Sequence, residues 1–291
     1  MVSLILFGSF FVLLLLNVPI GLSLGISSVA ALIAENLPFS MIPSNLYSST
    51  GKFVLLAIPF FILGGNVMEK SGISARLIDF CRTLVGHRKS GMALVCVIVA
   101  CFFAAISGSG PATVAALGMI LIPAMVKAGY DKGDSAALMS TAGAIGIIIP
   151  PSIPFITYGL CTGASIGDLF IAGFMPGLLI GLFIVFYVIY YFARHDNSNL
   201  RIEAYTQELR SKGFLRILKE GFWALLAPVI ILGGIYGGIV SPTEAAGVSV
   251  VYALLIGVVA YREINFKKFI KCLVDTGHTA TPVMLILGIC I

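Results

Sequence analysis

The chain has 291 residues, of which 59% are hydrophobic and only 11% charged, and its mean hydropathy is +1.06. Soluble domains carry roughly a quarter charged residues, so this composition excludes a water-soluble globular domain and, despite a formal net charge of +5, a nucleic-acid-binding one. It is the composition of an all-α polytopic membrane protein, because a spanning helix needs about 20 apolar residues and uncharged runs of that order recur along the chain.

The first run, residues 3–34, carries no A-x-A-like cleavage site and reads as a retained segment. Pro19 divides it into a tight pair of short helices. A loop over 35–51, a span over 53–68 and a basic loop over 69–91 follow. The next run, 90–126, is interrupted by Ser107, Gly108, Ser109, Gly110 and Pro111, a sequence for a loop. Its two legs, roughly 92–106 and 112–127, are each about 15 residues or ~22 Å long, short of the ~30 Å hydrocarbon core. The expectation is a re-entrant helical hairpin that dips in and returns, with its tip near mid-membrane. Such backbone is tolerated at depth only where it is buried in protein or lines a wet cavity.

A second interruption falls in the run 135–167. Pro150 and Pro151 remove two backbone donors and bias their predecessors away from the helix, while Gly143 and Gly146 permit close approach. The expected outcome is a broken span, with free carbonyls before Pro150 and a half-helix starting near Ser152. Spans over 169–193, 221–243, 245–261 and from 276 onward complete the chain. Between them lie a loop at 162–168, an amphipathic connector at 194–221 rich in Arg, Glu and Lys, and a basic loop at 262–275.

All Lys and Arg except Lys52 fall in the loops 69–91, 127–134, 194–221 and 262–275 or at their edges. If the hairpin does not cross, these loops share one side, which the positive-inside rule makes cytoplasmic. Loops 35–51 and 162–168 are then periplasmic, as is the N-terminus. The six cysteines, Cys81, Cys96, Cys101, Cys161, Cys272 and Cys290, are scattered without the spacing of a metal site or disulfide framework.

Two broken elements at similar depth are what ion-coupled transporters use: half-helix N-termini face anionic groups, and unwound carbonyls and hydroxyls coordinate Na⁺. Ser107, Ser109, Thr113, Ser152 and the adjacent carbonyls supply only oxygen, which suits a hard cation. Each feature alone has a plainer reading: Gly and Ser pack membrane helices closely, and Pro-Pro kinks them. A rival of another class is an intramembrane serine hydrolase with Ser107 or Ser109 as nucleophile and His278 as base. That pair must be within hydrogen-bond reach, yet His278 begins a span near the cytoplasmic face while the tip is deep. A third reading, a non-transporting structural subunit, predicts no ion site.

GISSVAALIA at 25–34 matches GVSVVYALLI at 247–256, and LAIPFFILGG at 56–65 resembles TATPVMLILG at 279–288. The near-equal offsets suggest an inverted repeat, because five crossings plus the hairpin in the first unit turn the second one over. The first unit covers 1–195: scaffold helices over 3–85, the re-entrant hairpin over 88–127, the broken helix over 131–163 and a helix over 168–195. Residues 196–221 form a cytoplasmic connector, and 222–291 begin the second unit. A second hairpin and broken span fall at roughly 315–350 and 365–380 by the repeat, so the second unit is expected to be truncated before its hairpin.

The stretches ISGSGPATVAALG, IPAMVKAGYD, GIIIPPSIPFITYG, SIGDLFIAGFMPG, ILGGIYGGIVSPTEAAGVSVVYALLIG and AIPFFILGGNVMEKSG resemble the large membrane subunit of tripartite ATP-independent periplasmic (TRAP) transporters. The resemblance covers nearly the whole chain. It implies a Na⁺-coupled importer of organic acid anions in the bacterial inner membrane, with no cofactor besides the coupling ion. Four-carbon dicarboxylates, sialic acid, other acid sugars and keto acids are within the family's range. A small membrane subunit and a periplasmic substrate-binding protein are the implied partners. It places one Na⁺ site on Ser107, Ser109, Gly146, Ile149, Pro150 and Ser152, with Gly108, Gly110, Pro111, Thr113 and Pro151 near the substrate.

Overall fold

The computed structural model describes residues 1–86, 90–194 and 214–290, which contain helices and no strand. Helices α1 (Val2–Leu15) and α2 (Ile20–Ala34) pack as a pair, with Pro19 at the N-cap of the second, where its missing N–H costs nothing. After α3 (Met41–Thr50), a 3₁₀ turn at Phe53–Leu56 leads into α4 (Ala57–Lys70). Gly72, in the left-handed conformation at φ 76°, starts α5 (Ile73–Val85).

Helices α6 (Gly91–Ser107) and α7 (Gly110–Lys127) are the expected hairpin. The chain reverses through Gly108 and Ser109, and the far end returns to the start: the Tyr130 phenol lies against the backbone of Ala93 and Met92. The 17 residues of α6 amount to about 25 Å, short of the bilayer core. By length and apolarity α7 qualifies as a span while α6 does not. The two ends of the helical pair lie side by side.

Helix α6 is apolar on all sides and almost wholly buried, as a helix at the centre of a bundle must be. Its neighbours are α4, α5, α7, α8 (Lys132–Ala144), α10 (Ile166–Arg194) and α11 (Phe214–Tyr236). Asp131 caps α8, its Oδ1 accepting from the Gly133 and Asp134 N–H groups at 2.7 and 3.2 Å. Beyond the break, α9 (Ile153–Thr162) runs to Gly163. Helix α12 (Pro242–Leu255) continues into a π turn at Ile256–Ala260, and α13 (Phe266–Cys290) follows. Helix α4 packs against α12 and α13, and α2 against α13. Small residues make this approach possible: a Cβ on Gly64 would sit 2.5 Å from Ser249 Oγ.

Three segments read as loops contain helix. Residues 69–91 hold α5, whose buried Ile73, Leu77, Ile78 and Cys81 recur at helical spacing among the part-buried Arg76 and Asp79. A one-sided helix has no continuous apolar run to betray it. Residues 35–51 hold α3, which packs against α13 and is stabilised by that contact despite its Ser, Asn and Thr content. The last helix begins at Phe266, not 276, because the basic Lys267, Lys268 and Lys271 sit on its first turns. The connector 196–221 lies largely outside the described residues, as do Arg88 and Lys89; α11 begins at Phe214. Six described helices are long and apolar enough to cross a membrane.

Two elbows meet at one end of the bundle. Lys70 pairs with Asp275, and Arg76 Nη2 pairs with Glu263 Oε1 at 3.2 Å while its guanidinium stands 3.8 Å over the Tyr261 ring. These contacts join the end of α4 to α13, and the start of α5 to the segment between α12 and α13.

Candidate functional site

The tip is organised by its hydroxyls. Ser107 ends α6, and Gly108 follows as a left-handed C-cap at φ 63°. Ser109, extended at φ −137°, caps α7 by accepting from the Ala112 N–H at 3.4 Å, with Pro111 in the first turn, where a proline costs least. The Thr113 hydroxyl donates to the Ser109 carbonyl at 2.8 Å and lies 2.9 Å from Ser107 Oγ. A hydroxyl has one hydrogen to give, so Ser107 is the donor to Thr113. Ser107 is 4% exposed and Thr113 fully buried, leaving a polar chain inside the protein with no charge in it.

The break is organised by its prolines. Helix α8 ends at Ala144, a 3₁₀ turn covers Ile145–Ile147, and the N–H groups of Ile148 and Ile149 both donate to the Ile145 carbonyl at 2.9 Å. Pro150 and Pro151, joined by a cis peptide bond, bring no donor. Ser152 then turns its hydroxyl onto the Ile147 carbonyl at 2.5 Å and caps α9 by accepting from the Phe155 N–H at 3.4 Å. Among the described residues no donor reaches the carbonyls of Gly146, Ile149, Pro150 or Pro151. Buried carbonyls without partners are costly, and Ile149, Pro150 and Pro151 are buried.

These two elements dock on each other. The Ile153 N–H, first of α9, donates to the Gly108 carbonyl at 3.3 Å. Glycine is required along the seam. A Cβ at Gly108 would stand 2.6 Å from the Pro151 carbonyl oxygen, and one at Gly146 would stand 2.9 Å from Thr113 Oγ1 and 3.2 Å from the Ser109 carbonyl. A Cβ at Gly110 would meet Ile147, and one at Gly143 would meet Val114 at 2.1 Å. From behind, Gly65 of α4 backs onto Ser107, and Gly177 of α10 accommodates Ile149.

The structure thus gathers Ser107, Gly108, Ser109, Gly110 and Thr113 against Gly146 and the Pro151–Ile153 junction. Pro111 is exposed and Ile149 packs toward α10, so these two stand at the margin of the assembly. The residues that hold tip and break together beyond those expected are Gly65 and Gly177, in helices 40 residues or more from the tip in sequence; only their small size marked them. Among the described residues no group of three His, Cys, Asp or Glu could hold a metal ion, and no described hydrogen bond links His278 to either tip serine. The arrangement offers neutral hydroxyl and carbonyl oxygens at the facing N-termini of two helices. Neutral oxygens of this kind are ligands for hard cations, and helix N-termini favour anions.

The family model for the tripartite ATP-independent periplasmic transporter, DctM component, matches residues 7–290. The chain is similar to the isethionate TRAP transporter permease protein DctMQ of Oleidesulfovibrio alaskensis, at 42% identity over 98% of this chain and 44% of that protein. It is 36% identical to the C4-dicarboxylate TRAP transporter large permease protein DctM of Rhodobacter capsulatus, over 99% of this chain and 67% of that protein. The 2,3-diketo-L-gulonate TRAP transporter large permease protein YiaN of Escherichia coli is 37% identical over 84% of this chain and 56% of its own length. The chain spans about half the length of the curated relatives it matches. It belongs to the family of TRAP transporter large permease components, a family of transporter subunits and not of enzymes.

Proposed function

We propose that the chain forms the first ion-binding half of a Na⁺-coupled permease for organic acid anions in the bacterial inner membrane. The observation that carries this reading is the seam between tip and break: an inter-element bond from Ile153 to Gly108 beside hydroxyls and donor-less carbonyls. One Na⁺ held by Ser107, Ser109 and the Gly146–Ser152 segment supplies the missing partner. Lacking a carboxylate, the set suits a monovalent ion and not Mg²⁺ or Ca²⁺. The N-terminal dipoles of α7 and α9 then favour a substrate carboxylate nearby. Relatives are named for isethionate, C4-dicarboxylate and diketogulonate, all organic anions.

A small membrane subunit and a periplasmic binding protein complete the transporter; the DctMQ name of one relative fits the first. The N-terminus is periplasmic and the basic loops are cytoplasmic. The repeat reading draws support from a reciprocal pairing: α2 packs on α13 and α12 on α4, each helix of one unit against the following helix of the other.

The test is uptake of a labelled organic acid by proteoliposomes holding the complete permease, with its binding protein outside. An inward Na⁺ gradient drives accumulation on this account, and an equal K⁺ gradient does not. Equal uptake under both gradients refutes Na⁺ coupling.

A further inference from the structure

A small cavity of about 90 Å³ lies on the face of the tip turned toward α4 and α13. Ser107 and Ser109 from the tip, Ile153 from α9, Asn66 and Glu69 from α4, and Thr279 from α13 line it. Glu69 is half-buried, and among the described residues its carboxylate has no hydrogen bond or ion pair. The neighbouring cation, Lys70, is engaged by Asp275. The Asn66 amide is fixed by donating its Nδ2 to Thr276 Oγ1 at 2.9 Å, and that hydroxyl in turn donates to the Cys272 carbonyl at 2.7 Å. Since the amide nitrogen is committed to Thr276, the Asn66 side-chain oxygen remains as acceptor.

Asp275 holds Lys70 in an ion pair and has Lys271 within electrostatic reach as well, so Glu69 is the carboxylate of this group without an ion pair among the described residues. An ionisable group near the end of a membrane span and turned into a cavity is a functional position unless it is paired. A single carboxylate among neutral oxygens fits a monovalent ion better than a divalent one, which takes several carboxylates. The volume is enough for an ion with a water or two, since a water takes about 30 Å³.

We propose that Glu69, with Asn66 and Thr279, forms a second monovalent-cation site that adjoins the seam site, the two meeting at Ser109 of the hairpin tip. This inference rests on the reading of the tip as an ion-linked element. Occupancy of the Glu69 site ties the tip to α4 and α13, whereas occupancy of the seam ties the tip to α9. The two ions therefore hold the tip from opposite sides.

The purified chain in detergent is titrated with NaCl at constant ionic strength, with choline chloride as the balancing salt, and its thermal stability is followed. Glu69→Gln preserves the shape and removes the charge; it raises the Na⁺ concentration for half-maximal stabilisation about tenfold or more, the scale of losing one charged partner. Glu69→Asp, which keeps the charge one methylene back, restores part of the shift, and Thr279→Val, on a different helix, moves it in the same direction as Glu69→Gln. A Glu69→Gln curve that overlays the wild type overturns the proposal. If Glu69→Gln does not fold, an unchanged Na⁺ midpoint in Thr279→Val overturns it. Ser152→Ala, which touches the seam alone, separates the two sites: an unchanged Ser152→Ala curve with a shifted Glu69→Gln curve removes the seam site and leaves this one.

Discussion

Gly108→Ala offers a quantitative test of the docking between tip and break, because Gly163 supplies its control. Both glycines are left-handed C-caps, Gly108 at φ 63° and Gly163 at φ 75°. The backbone penalty for placing alanine in that conformation, roughly 1 kcal/mol, is common to both. A Cβ at Gly163 meets nothing within 4 Å, while one at Gly108 stands 2.6 Å from the Pro151 oxygen. That oxygen belongs to the backbone, so relief needs the tip and the break to separate by several tenths of an ångström. Overpacking of this kind costs about 1–3 kcal/mol, and the Ile153–Gly108 hydrogen bond, already 3.3 Å long, is lost for about 1 kcal/mol more. Gly108→Ala is therefore expected to destabilise the protein by ~2–4 kcal/mol beyond Gly163→Ala. Unfolding of the two variants and wild type in one detergent, with and without Na⁺, measures the difference. Gly108→Ala also loses Na⁺-dependent stabilisation, which Gly163→Ala keeps. Equal destabilisation of the two variants would refute the docking.

Three further outcomes follow from other parts of the fold. Ser241 and Glu244 form a capping box on α12, with the Ser241 hydroxyl accepting from the Glu244 N–H at 3.3 Å and the Glu244 carboxylate accepting from the Ser241 N–H at 2.8 Å; Ser241→Ala is expected to cost ~1 kcal/mol in thermal unfolding, and no loss would mean that the cap is idle. Cys161 is exposed and Cys81 is buried, and burial pushes the Cys81 thiol up to about 12; since the thiolate is the reactive form, a membrane-impermeant maleimide at pH 7–8 labels Cys161 from the periplasmic side of intact cells and leaves Cys81 unlabelled, whereas labelling of Cys161 from the cytoplasmic side alone would reverse the topology. A double-mutant cycle over Arg76→Ala and Glu263→Ala is expected to give a coupling of only a few tenths to 1 kcal/mol, because the pair is part-exposed; a coupling several times larger would show that the two elbows act as one rigid unit.

The break and the tip were legible because Gly, Ser and Pro interrupt runs that are otherwise apolar, and their chemistry forbids a continuous helix whatever surrounds them. The pair α1 and α2 and the start of α9 at Ser152 were legible for the same reason. Their mutual docking was not. The Ile153–Gly108 bond joins residues far apart in sequence, and nothing local to either strand of text encodes it. Helix α5 is hidden in the sequence because its apolar face recurs at helical spacing among Arg and Asp and forms no continuous hydrophobic run. The Ser241-x-x-Glu244 spacing is a capping-box signature that the sequence contains. Glu69 sits at the edge of the span 53–68, and only the approach of α13 and the tip makes it the lining of a cavity.

The central claim, that the tip ligates Na⁺ and does not merely pack, is tested most directly by the Na⁺ dependence of uptake through Ser109→Ala in the complete transporter. The change removes one oxygen and little volume, leaving Gly108 and the Ile153 bond in place. The expected result is a raised Na⁺ concentration for half-maximal uptake, with protein abundance nearly unchanged. Apparent substrate affinity weakens at limiting Na⁺ and recovers at high Na⁺, because ion and substrate binding are coupled reciprocally. Uptake by Ser109→Ala with the wild-type Na⁺ dependence would contradict the claim and leave the hydroxyl as the cap of α7 alone.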